Sequence, residues 1–555
     1  MLTTFDIIIA GGGATGCVIA GRLAAADANL KILIIEQGPD TKDDLNHLQP
    51  AIFARHLMPD SKTLKFVVSK PADAVGGRPI IVPAGQCVGG GSSVNFMIYT
   101  RGSASDYDDW ETKHGNSGWG FNDMLPYFRK LETYQVEPNQ ETHGYSGPLK
   151  VSRGGIYSNI GEDFLHVATH YDSEKEHTED TNDFRTVNKY AHWAKWINGT
   201  DGHRSDSAHN YVYNQSKNQN LVIKTGYMVK RVIFEGNRAV GVEYVPDSRF
   251  RPDEPKEVFT VRASRQVVVS ADHYGVYPPY MTSEQSLTLD KVIIGDPTEI
   301  ERWTPEWAEE GTGLLASNGV DAAIKLRPTS DEVKAIGPCF EERWEEHFAD
   351  AHDKPALLTA LPTPDIPPSR YFSCLSYMNY PASSGHLHIS SGEDATAPPD
   401  FDTGYLTNPA DLELLRWTYK RSREFARRMP CYRGELISLH PTFAEGSEAV
   451  CKQNVMPVPV DTPNINWTNV DDMAIDRYIR ENATTSWHSL GTCPMKPRVR
   501  GGVFDARLNV YGVQGLKVAD LSIAPSNVAG NTYSTVLAIA ERAATIIGED
   551  LGIKI

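Results

Sequence analysis

The chain of 555 residues is long enough for two or more domains, and its 40% hydrophobic and 23% charged residues are typical of globular proteins. Its net charge of −17 argues against nucleic acids and anionic membrane surfaces as partners. No run of eighteen apolar residues is present, so we expect no membrane-spanning segment. The seven scattered cysteines contain no C-x-x-C pair, which indicates reduced thiols in an intracellular protein and argues against a metal site.

The first 36 residues predict a strand, a glycine-rich turn, a helix and a second strand. Residues 5–10 form a short apolar run, which suits a buried strand and is too short for a helix. Residues 17–26 predict a helix rich in small side chains, and residues 31–35 predict a second strand that ends at Glu36. The turn between strand and helix has the spacing Gly-x-Gly-x-x-Gly, with Gly11, Gly13 and Gly16.

This arrangement predicts a dinucleotide-binding site. Gly11 permits the tight turn, Gly13 lets the backbone approach a pyrophosphate, and Gly16 lets the helix pack closely on the strand. The free N–H groups at the start of the helix suit phosphate, and Glu36 can accept a hydrogen bond from a ribose hydroxyl. The glycine spacing alone is weak evidence, but the flanking strand and helix and the acid twenty positions after Gly16 make it specific.

A second glycine-rich stretch, residues 83–99, leads from three consecutive glycines into apolar residues. Gly89 and its two neighbours leave the backbone almost bare, so it can lie against a planar ligand and donate hydrogen bonds to it. Ser93 and Asn95 add polar groups to the same surface. A flexible linker is the alternative, although linkers do not run directly into such an apolar segment.

The middle of the chain predicts mixed structure. Residues 221–224 and 231–244 predict two or three antiparallel strands, and residues 266–271 a further parallel strand. Residues 285–480, with a strongly helical segment at 411–428, form a plausible second domain. The region around residues 191–212 contains three histidines whose spacing fits no compact metal-ligand set, so buried, hydrogen-bonded histidines are favoured: His192, His203 and His209.

The last 75 residues predict a strand at 516–520 that ends at Asp520, a loop, and a helix that starts near Thr532. His488 lies in a segment rich in serine, threonine and glycine. From the residues alone, His488 could be a buried core histidine, and Asn531 could be the N-cap of the final helix.

Together these motifs resemble the glucose–methanol–choline (GMC) family of FAD oxidoreductases, and within it they look most like the alcohol (methanol) oxidases. The resemblance extends over most of the chain and includes long motifs near residues 89–110, 192–209, 485–495 and 515–535. It implies an α/β fold in which a Rossmann-like FAD-binding domain is joined to a discontinuous α+β substrate domain with a six-stranded antiparallel sheet. The implied divisions are 1–284, mainly FAD-binding with 151–204 partly on the substrate side, 285–480 for substrate, and 481–555 returning to the FAD domain.

The resemblance also implies roles for individual residues. The positions that match FAD-binding positions of the family are Gly11, Gly13, Gly16, Glu36, Gly89, Ser93, Asn95, Val229, Asp520 and Thr532. His488 matches the family's histidine that faces the flavin, and Asn531 matches its partner. Phe96 and Trp487 are expected in the substrate pocket. No metal is expected.

The implied reaction is the oxidation of a short-chain primary alcohol to its aldehyde, with reduction of O₂ to H₂O₂. A base must take the hydroxyl proton as hydride leaves the adjacent carbon, and a histidine is suited to that task. Asn531 can orient the alcohol oxygen without competing for its proton. A dehydrogenase with another electron acceptor and a flavin-bound lyase remain alternatives with the same fold.

One departure from the family pattern follows Ala271. The family continues there with a further helix and a second signature, whereas Ala271 is followed here by Asp272 and His273. Because the absent segment normally packs beside the flavin, a catalytically impaired, flavin-binding member is a further alternative. A homo-oligomer is expected from the family. A cytoplasmic location is favoured; the family allows a peroxisome, but residues 552–555 do not resemble a Ser-Lys-Leu signal.

Overall fold

The computed structural model describes residues 4–255, 257–263, 272–361 and 370–555. The N-terminal strand, helix and second strand form as predicted, at Ile7–Ala10, Ala14–Ala26 and Ile32–Glu36. The two strands are parallel, with Ile7 opposite Ile32. Nearly all residues of these two strands are buried. Their apolar, largely β-branched side chains suit a parallel sheet that is covered on both faces.

The third strand of this parallel sheet is Leu221–Thr225, which pairs with Ile32–Glu36 on the side away from Ile7–Ala10. The prediction that residues 221–224 belong to an antiparallel group was therefore wrong. Sequence proximity to the next two strands suggested a hairpin, but the partner of Leu221 is Ile32, far away in the chain. The following strands, Tyr227–Glu235 and Arg238–Pro246, do form the expected antiparallel pair.

That pair belongs to a four-stranded sheet in which Arg238–Pro246 also pairs with Phe259–Ala263, and Phe259–Ala263 pairs with Thr4–Phe5. The strand predicted at residues 266–271 lies outside the described residues, and so does the joint after Ala271.

A six-stranded antiparallel sheet forms the centre of the second half of the molecule, as the family resemblance implied. Neighbouring strands, in order across the sheet, are Thr484–Ser489, Asp272–Val276, Leu375–Met378, Leu357–Ala360, Ala322–Leu326 and Tyr190–His192. Three of the six lie outside residues 285–480, so this sheet is assembled from a wider part of the chain than the expected domain division.

The smaller sheets lie around these three. One has three strands: Tyr371–Ser373, Pro279–Thr282 and Tyr432–Glu435. The two-stranded sheets are Leu64–Val68 with Ile81–Gly85, Glu132–Tyr134 with Leu149–Val151, and His386–His388 with Asp400–Asp402.

The α-helices cover both halves of the molecule. They are Ala14–Ala26, Leu45–Leu48, Ala104–Thr112, Phe121–Leu131, Asn159–Tyr171, Asp290–Ile293, Pro297–Glu310, Ser330–Ile336, Pro338–His347, Pro409–Ala426, Asn469–Asn482 and Tyr533–Leu551. The helix predicted at 411–428 is thus confirmed as Pro409–Ala426. The C-terminal helix is almost entirely buried and packs against Ala14–Ala26 in the same hydrophobic core.

The strand predicted at residues 516–520 does not form. Lys517 makes a single antiparallel bridge to Asn509, and Gln514 makes a single parallel bridge to Arg238, so the pairing of this segment is too short to form a strand. The loop after it returns to the core, and the final helix begins at Tyr533, one residue after the predicted start.

Candidate active site

A cavity of about 490 Å³ lies between the first parallel strands and the six-stranded sheet. One end is lined by the glycine-rich turn and the start of the helix Ala14–Ala26, and the other by the strand Thr484–Ser489 and the start of the C-terminal helix. Residues 83–85, 90–92 and 94–98 also line the cavity. The cavity thus brings together the three sequence segments in which binding and catalytic residues were predicted.

The glycine-rich turn leaves open space where a side chain would stand. A Cβ atom at Gly11 or Gly13 would meet no other atom within 4 Å, and both residues line the cavity. Gly11 also has a φ angle of +101°, which glycine adopts without strain. A Cβ at Gly16 would lie 2.3 Å from the carbonyl oxygen of Gly11, so Gly16 is required for close packing of helix on turn.

The helix that follows this turn is suited to an anion. Its N-cap is Gly13, which has no side chain to satisfy the first N–H groups, and its first turn contains no acidic residue. These N–H groups and the helix dipole favour negative charge at this point. The turn and helix therefore fit the pyrophosphate of a dinucleotide.

Glu36 closes the nucleotide end of the cavity. Its carboxylate accepts hydrogen bonds from the N–H of Gly12 at 2.7 Å and the N–H of Gly38 at 2.8 Å. Burial raises the pKa of Glu36 to about 7, although these two N–H groups oppose that shift. The backbone thus fixes the carboxylate at the edge of the cavity, where it can accept from a ribose hydroxyl.

The second glycine-rich stretch packs directly on the first. The N–H of Gly89 donates to the carbonyl oxygen of Gly12 at 2.7 Å. A Cβ at Gly90 would lie 2.8 Å from the Cα of Gly13. The two backbones therefore touch, and Gly90 and Gly91 line the cavity beside the turn. This contact requires glycine at position 90.

Asn95 lines the cavity and is held by Arg204. The Arg204 guanidinium donates to the Oδ1 of Asn95 at 2.9 Å and to its carbonyl oxygen at 2.6 Å. Burial lowers the pKa of Arg204 to about 10. Arg204 is a residue that sequence reasoning missed, because nothing near it in the chain indicates its contact with Asn95.

Three predicted cofactor residues do not line the cavity. The Ser93 hydroxyl is buried and donates to Asp206 at 2.8 Å, with the carbonyl oxygen of Val88 as its alternative acceptor at 3.1 Å. The N–H of Gly89 donates to the carbonyl oxygen of Gly12 in the glycine-rich turn. Val229 lies on the strand Tyr227–Glu235. Ser93 and Gly89 therefore shape the cavity through their neighbours, and their backbone contacts with a cofactor, like that of Val229, stay predictions.

Asp520 lines the middle of the cavity, close to the start of the C-terminal helix. Its Oδ1 accepts from the backbone N–H of Ser522 at 3.0 Å and from the Ser522 hydroxyl at 2.7 Å. Burial raises the pKa of Asp520 to about 7. Thr532 also lines the cavity.

His488 and Asn531 meet at the opposite end from Glu36. The side-chain Nδ2 of Asn531 lies 3.0 Å from the Nε2 of His488, and both residues line the cavity. The Thr100 hydroxyl donates to the Oδ1 of Asn531 at 2.8 Å. With Oδ1 engaged in this way, the Asn531 amide presents its N–H group to His488 Nε2, which then accepts.

Asn531 is not the N-cap of the C-terminal helix. The N-cap of the C-terminal helix is Thr532, with the helix itself beginning at Tyr533. The Asn531 amide is used instead for contacts with His488 and Thr100.

An irregularity in the strand Thr484–Ser489 turns His488 into the cavity. Asp272 pairs with Ser489 and Tyr274 with Thr485, so three residues of this strand lie opposite one residue of its neighbour. Trp487 has a φ angle of +62°, in the left-handed region that bulky residues rarely adopt. As a result, four consecutive residues, from Ser486 to Ser489, line the cavity instead of alternating across the sheet.

Aromatic side chains narrow this end of the cavity. The ring of Phe96 lies 4.7 Å from that of Trp487 and 4.3 Å from that of Phe53, measured between centroids. The Tyr377 ring lies 5.3 Å from the imidazole of His488. Phe96, Trp487 and Tyr377 all line the cavity. They leave an apolar space beside the polar pair of His488 and Asn531.

The fold and this cavity define a class: an oxidoreductase that binds a dinucleotide at one end of a cavity and holds a histidine–asparagine pair at the other. Sequence profiles of the GMC oxidoreductase family match residues 5–275 and 381–540. The chain belongs to the GMC oxidoreductase family, and the predicted family is confirmed. Members of this family use FAD, which the open glycine cradle, the uncapped helix and Glu36 fit.

The sequence is similar to curated alcohol oxidases over nearly its whole length. It is 37% identical to alcohol oxidase of Candida boidinii and 38% identical to that of Pichia angusta, and each alignment covers 99% of this chain and 95% of the relative. The fold is similar to that of the FAD-containing formate oxidase of Aspergillus oryzae RIB40, with a TM-score of 0.80 and 19% identity over 99% of both chains.

The alignment with the Candida boidinii protein extends over 640 positions, although this chain has 555 residues. At least 85 of those positions therefore carry no residue of this chain. The expectation that a segment is absent after Ala271 stays a prediction.

Two further observations concern the described part of the chain. It contains no group of three or more histidine, cysteine or acidic side chains placed to hold a metal ion. None of its helices has the length and apolar character that a membrane crossing requires.

Proposed function

We propose that this protein is an FAD-dependent alcohol oxidase, which converts a short-chain primary alcohol to its aldehyde and reduces O₂ to H₂O₂. The observation that carries the proposal is the contact between His488 and Asn531 in the cavity that the glycine-rich turn opens into. The names of the relatives that are 37–38% identical over nearly the full chain support the same activity.

The protein supplies the proton chemistry of this reaction. When bound, FAD supplies the redox chemistry by accepting the hydride from the alcohol carbon. His488 Nε2 accepts a hydrogen bond from Asn531 and so carries no proton in that state. Nε2 has one lone pair, so it takes the hydroxyl proton once the bound alcohol has displaced this Asn531 N–H. The second hydrogen on Asn531 Nδ2 is able to donate to the alcohol oxygen, which orients the substrate.

The remaining residues position these groups and limit the substrate. Glu36, Gly11 and Gly13 would hold the adenosine and pyrophosphate parts of FAD, and Asp520 would face its central part. The aromatic rings of Phe96 and Trp487 lie 4.7 Å apart and line the same cavity as His488, so they would limit the space for the alcohol chain. We therefore assign the substrate to the short-chain primary alcohols.

A second candidate is a flavin-binding protein with impaired turnover. The observation that favours it is the absence of at least 85 positions relative to the Candida boidinii alcohol oxidase. This candidate shares the fold and cofactor but predicts slow or no flavin reduction by alcohols. A GMC dehydrogenase with another electron acceptor would show normal reduction and no peroxide.

One experiment separates these three activities. The FAD-loaded protein is mixed with methanol, ethanol and longer primary alcohols without oxygen, and its visible spectrum is followed. We expect the flavin to bleach within seconds and, when air is readmitted, one H₂O₂ to form for each O₂ consumed. Bleaching without peroxide would indicate a dehydrogenase, and an unchanged spectrum with all alcohols would contradict both enzyme proposals.

We further propose that the protein works in a reducing compartment inside the cell, which its seven free cysteines support. A homo-oligomer remains a prediction, and the mass of the FAD-loaded protein in light scattering tests it.

A further inference from the structure

We propose that Thr100 is a positioning residue that sets which end of the Asn531 side chain faces His488. This inference rests on the function proposed above, because it assigns a role to Thr100 in the same reaction. Thr100 is fully buried and is not among the residues that line the cavity, so it acts through Asn531 and not on substrate.

The orientation of the Asn531 amide decides what His488 can do. The two ends of an asparagine side chain have nearly the same shape, but Nδ2 donates hydrogen bonds and Oδ1 accepts them. With Nδ2 toward His488, the contact favours an imidazole whose Nε2 is free of a proton, which is the form a general base needs. With Oδ1 toward His488, the contact would favour a proton on Nε2 and oppose that role.

Thr100 is placed to hold the productive orientation. Its hydroxyl donates to Asn531 Oδ1 at 2.8 Å. Its own carbonyl oxygen accepts from the Ser534 hydroxyl at 2.6 Å, which ties Thr100 to the first turn of the C-terminal helix. Thr100 and Asn531 are therefore held against the same helix, and the distance between them is fixed.

The backbone of the loop before Asn531 is anchored independently of Thr100. The N–H of Ala529 donates to Asp106 at 2.8 Å, and the N–H of Gly530 donates to Asn379 at 2.9 Å. A Cβ at Gly530 would lie 2.1 Å from the Thr100 methyl group, so the methyl packs directly on this loop. Valine in place of threonine keeps that methyl and replaces the hydroxyl with a second methyl group, which cannot donate to Asn531 Oδ1.

The experiment compares Thr100→Val with Thr100→Ser in the FAD-loaded protein. Anaerobic stopped-flow measurements give the limiting rate of flavin reduction and the dissociation constant of the alcohol. We expect Thr100→Val to lower the limiting rate about 10-fold, the scale of one lost hydrogen bond. The dissociation constant of the alcohol should rise as well, because a turned amide no longer donates to the alcohol oxygen, whereas FAD content and melting temperature should be nearly unchanged. Thr100→Ser, which restores a hydroxyl, should recover most of the rate.

A matched control removes a buried threonine hydroxyl elsewhere. Thr418 is buried in the helix Pro409–Ala426, and its hydroxyl donates to the Leu414 carbonyl oxygen of the same helix. Thr418→Val should leave the reduction rate unchanged. A loss equal to that of Thr100→Val would mean that the effect is structural and would overturn the inference.

A double-mutant cycle separates positioning of Asn531 from any other role. In an Asn531→Ala background, Thr100→Val should cost no further rate, because the amide that Thr100 orients is gone. A full further 10-fold loss would overturn the inference, as would a Thr100→Val variant that reduces at the wild-type rate.

Flavin reduction by alcohols in the wild-type protein tests the proposed function separately from the role of Thr100. If no alcohol reduces its flavin, the proposed function fails, and the crystal structure of the Thr100→Val variant at atomic resolution then decides the inference. We expect the Asn531 amide to turn or to leave the 3.0 Å contact with His488. An unchanged amide in that structure would overturn the role of Thr100.

Discussion

The two ends of the cavity are built by different means. At the nucleotide end, one continuous stretch of 36 residues supplies the strand, turn, helix and acid, and the required feature is the absence of side chains at Gly11 and Gly13. At the reacting end, His488, Asn531 and Thr100 come from three distant segments, and the required feature is a set of polar groups in fixed orientations.

This difference explains what each end tolerates. A cradle made of backbone is lost when any side chain larger than hydrogen fills it, whatever its chemistry. A set of oriented side chains keeps its shape when one group is truncated, but loses the proton transfer that depends on that group. Substitutions at the first end should therefore change FAD binding, and those at the second should change reaction rate.

The largest effect is expected for His488→Ala. The variant should bind FAD and melt near the wild-type temperature, yet its flavin reduction by a primary alcohol should be slower by about 10²–10⁴-fold, the range for loss of a general base. Anaerobic stopped-flow spectroscopy on samples matched for FAD content measures this. Near-normal reduction would contradict the assignment of His488 as the base.

The next largest effect is expected for Gly13→Val, which should weaken FAD binding and leave the rate of flavin reduction in the FAD-loaded protein unchanged. Its side chain would enter the open space of the cradle, where the pyrophosphate is expected, and we expect FAD affinity to fall by more than about 10-fold. Titration of the flavin-free protein with FAD measures the affinity. Gly392→Val is the control, because Gly392 is exposed, also has open space around a Cβ, and lies outside the cavity. Equal losses in both variants would argue against the cradle.

A smaller effect is expected at the aromatic wall. Phe96→Ser removes a ring that packs on Trp487 and should enlarge the space beside His488. We expect the ratio of kcat/KM for butanol to that for methanol to rise by about 10-fold, since one or two methylene groups in an apolar pocket change selectivity on that scale. An unchanged ratio would show that other residues limit the size of the alcohol.

An effect of a different kind concerns the stability of the flavin-free protein. Because burial raises the pKa of Glu36 from 4.5 to about 7, the folded state binds the proton more tightly than the unfolded state. The free energy of unfolding should therefore fall as pH rises from about 4.5 to about 7, by up to about 3 kcal/mol from this group.

Glu36→Gln should weaken that pH dependence, since its amide does not titrate. Urea unfolding of the flavin-free wild type and variant at pH 5 and pH 7.5 measures the difference. Asp520, whose pKa burial also raises to about 7, should leave a residual dependence of the same sign. Identical dependence in both proteins would contradict the burial of a titrating Glu36.

The sequence alone predicted the nucleotide end of the cavity more fully than the reacting end. Local spacing was enough to predict that Gly11, Gly13, Gly16 and Glu36 lie at one site, because all four belong to one continuous segment, and all four line the cavity. The pairing of Leu221 with Ile32 was missed, since strand partners far apart in sequence leave no local pattern.

At the reacting end, the sequence identified His488 and Asn531 only through resemblance to a family. The residue spacing could not show that Thr100 and Arg204 hold Asn531 and Asn95, because those contacts join segments that are distant in the chain. The positive φ of Trp487, which turns His488 into the cavity, has no signal in the sequence, since the left-handed region favours glycine and not tryptophan.

The most direct test of the central claim is a crystal structure of the FAD-loaded protein with a primary alcohol bound under anaerobic conditions. We expect the adenosine ribose beside Glu36, the pyrophosphate over Gly13, and the alcohol oxygen within hydrogen-bonding distance of both His488 Nε2 and Asn531 Nδ2. FAD bound with its nucleotide away from the glycine-rich turn, or alcohol bound out of reach of His488, would contradict this account.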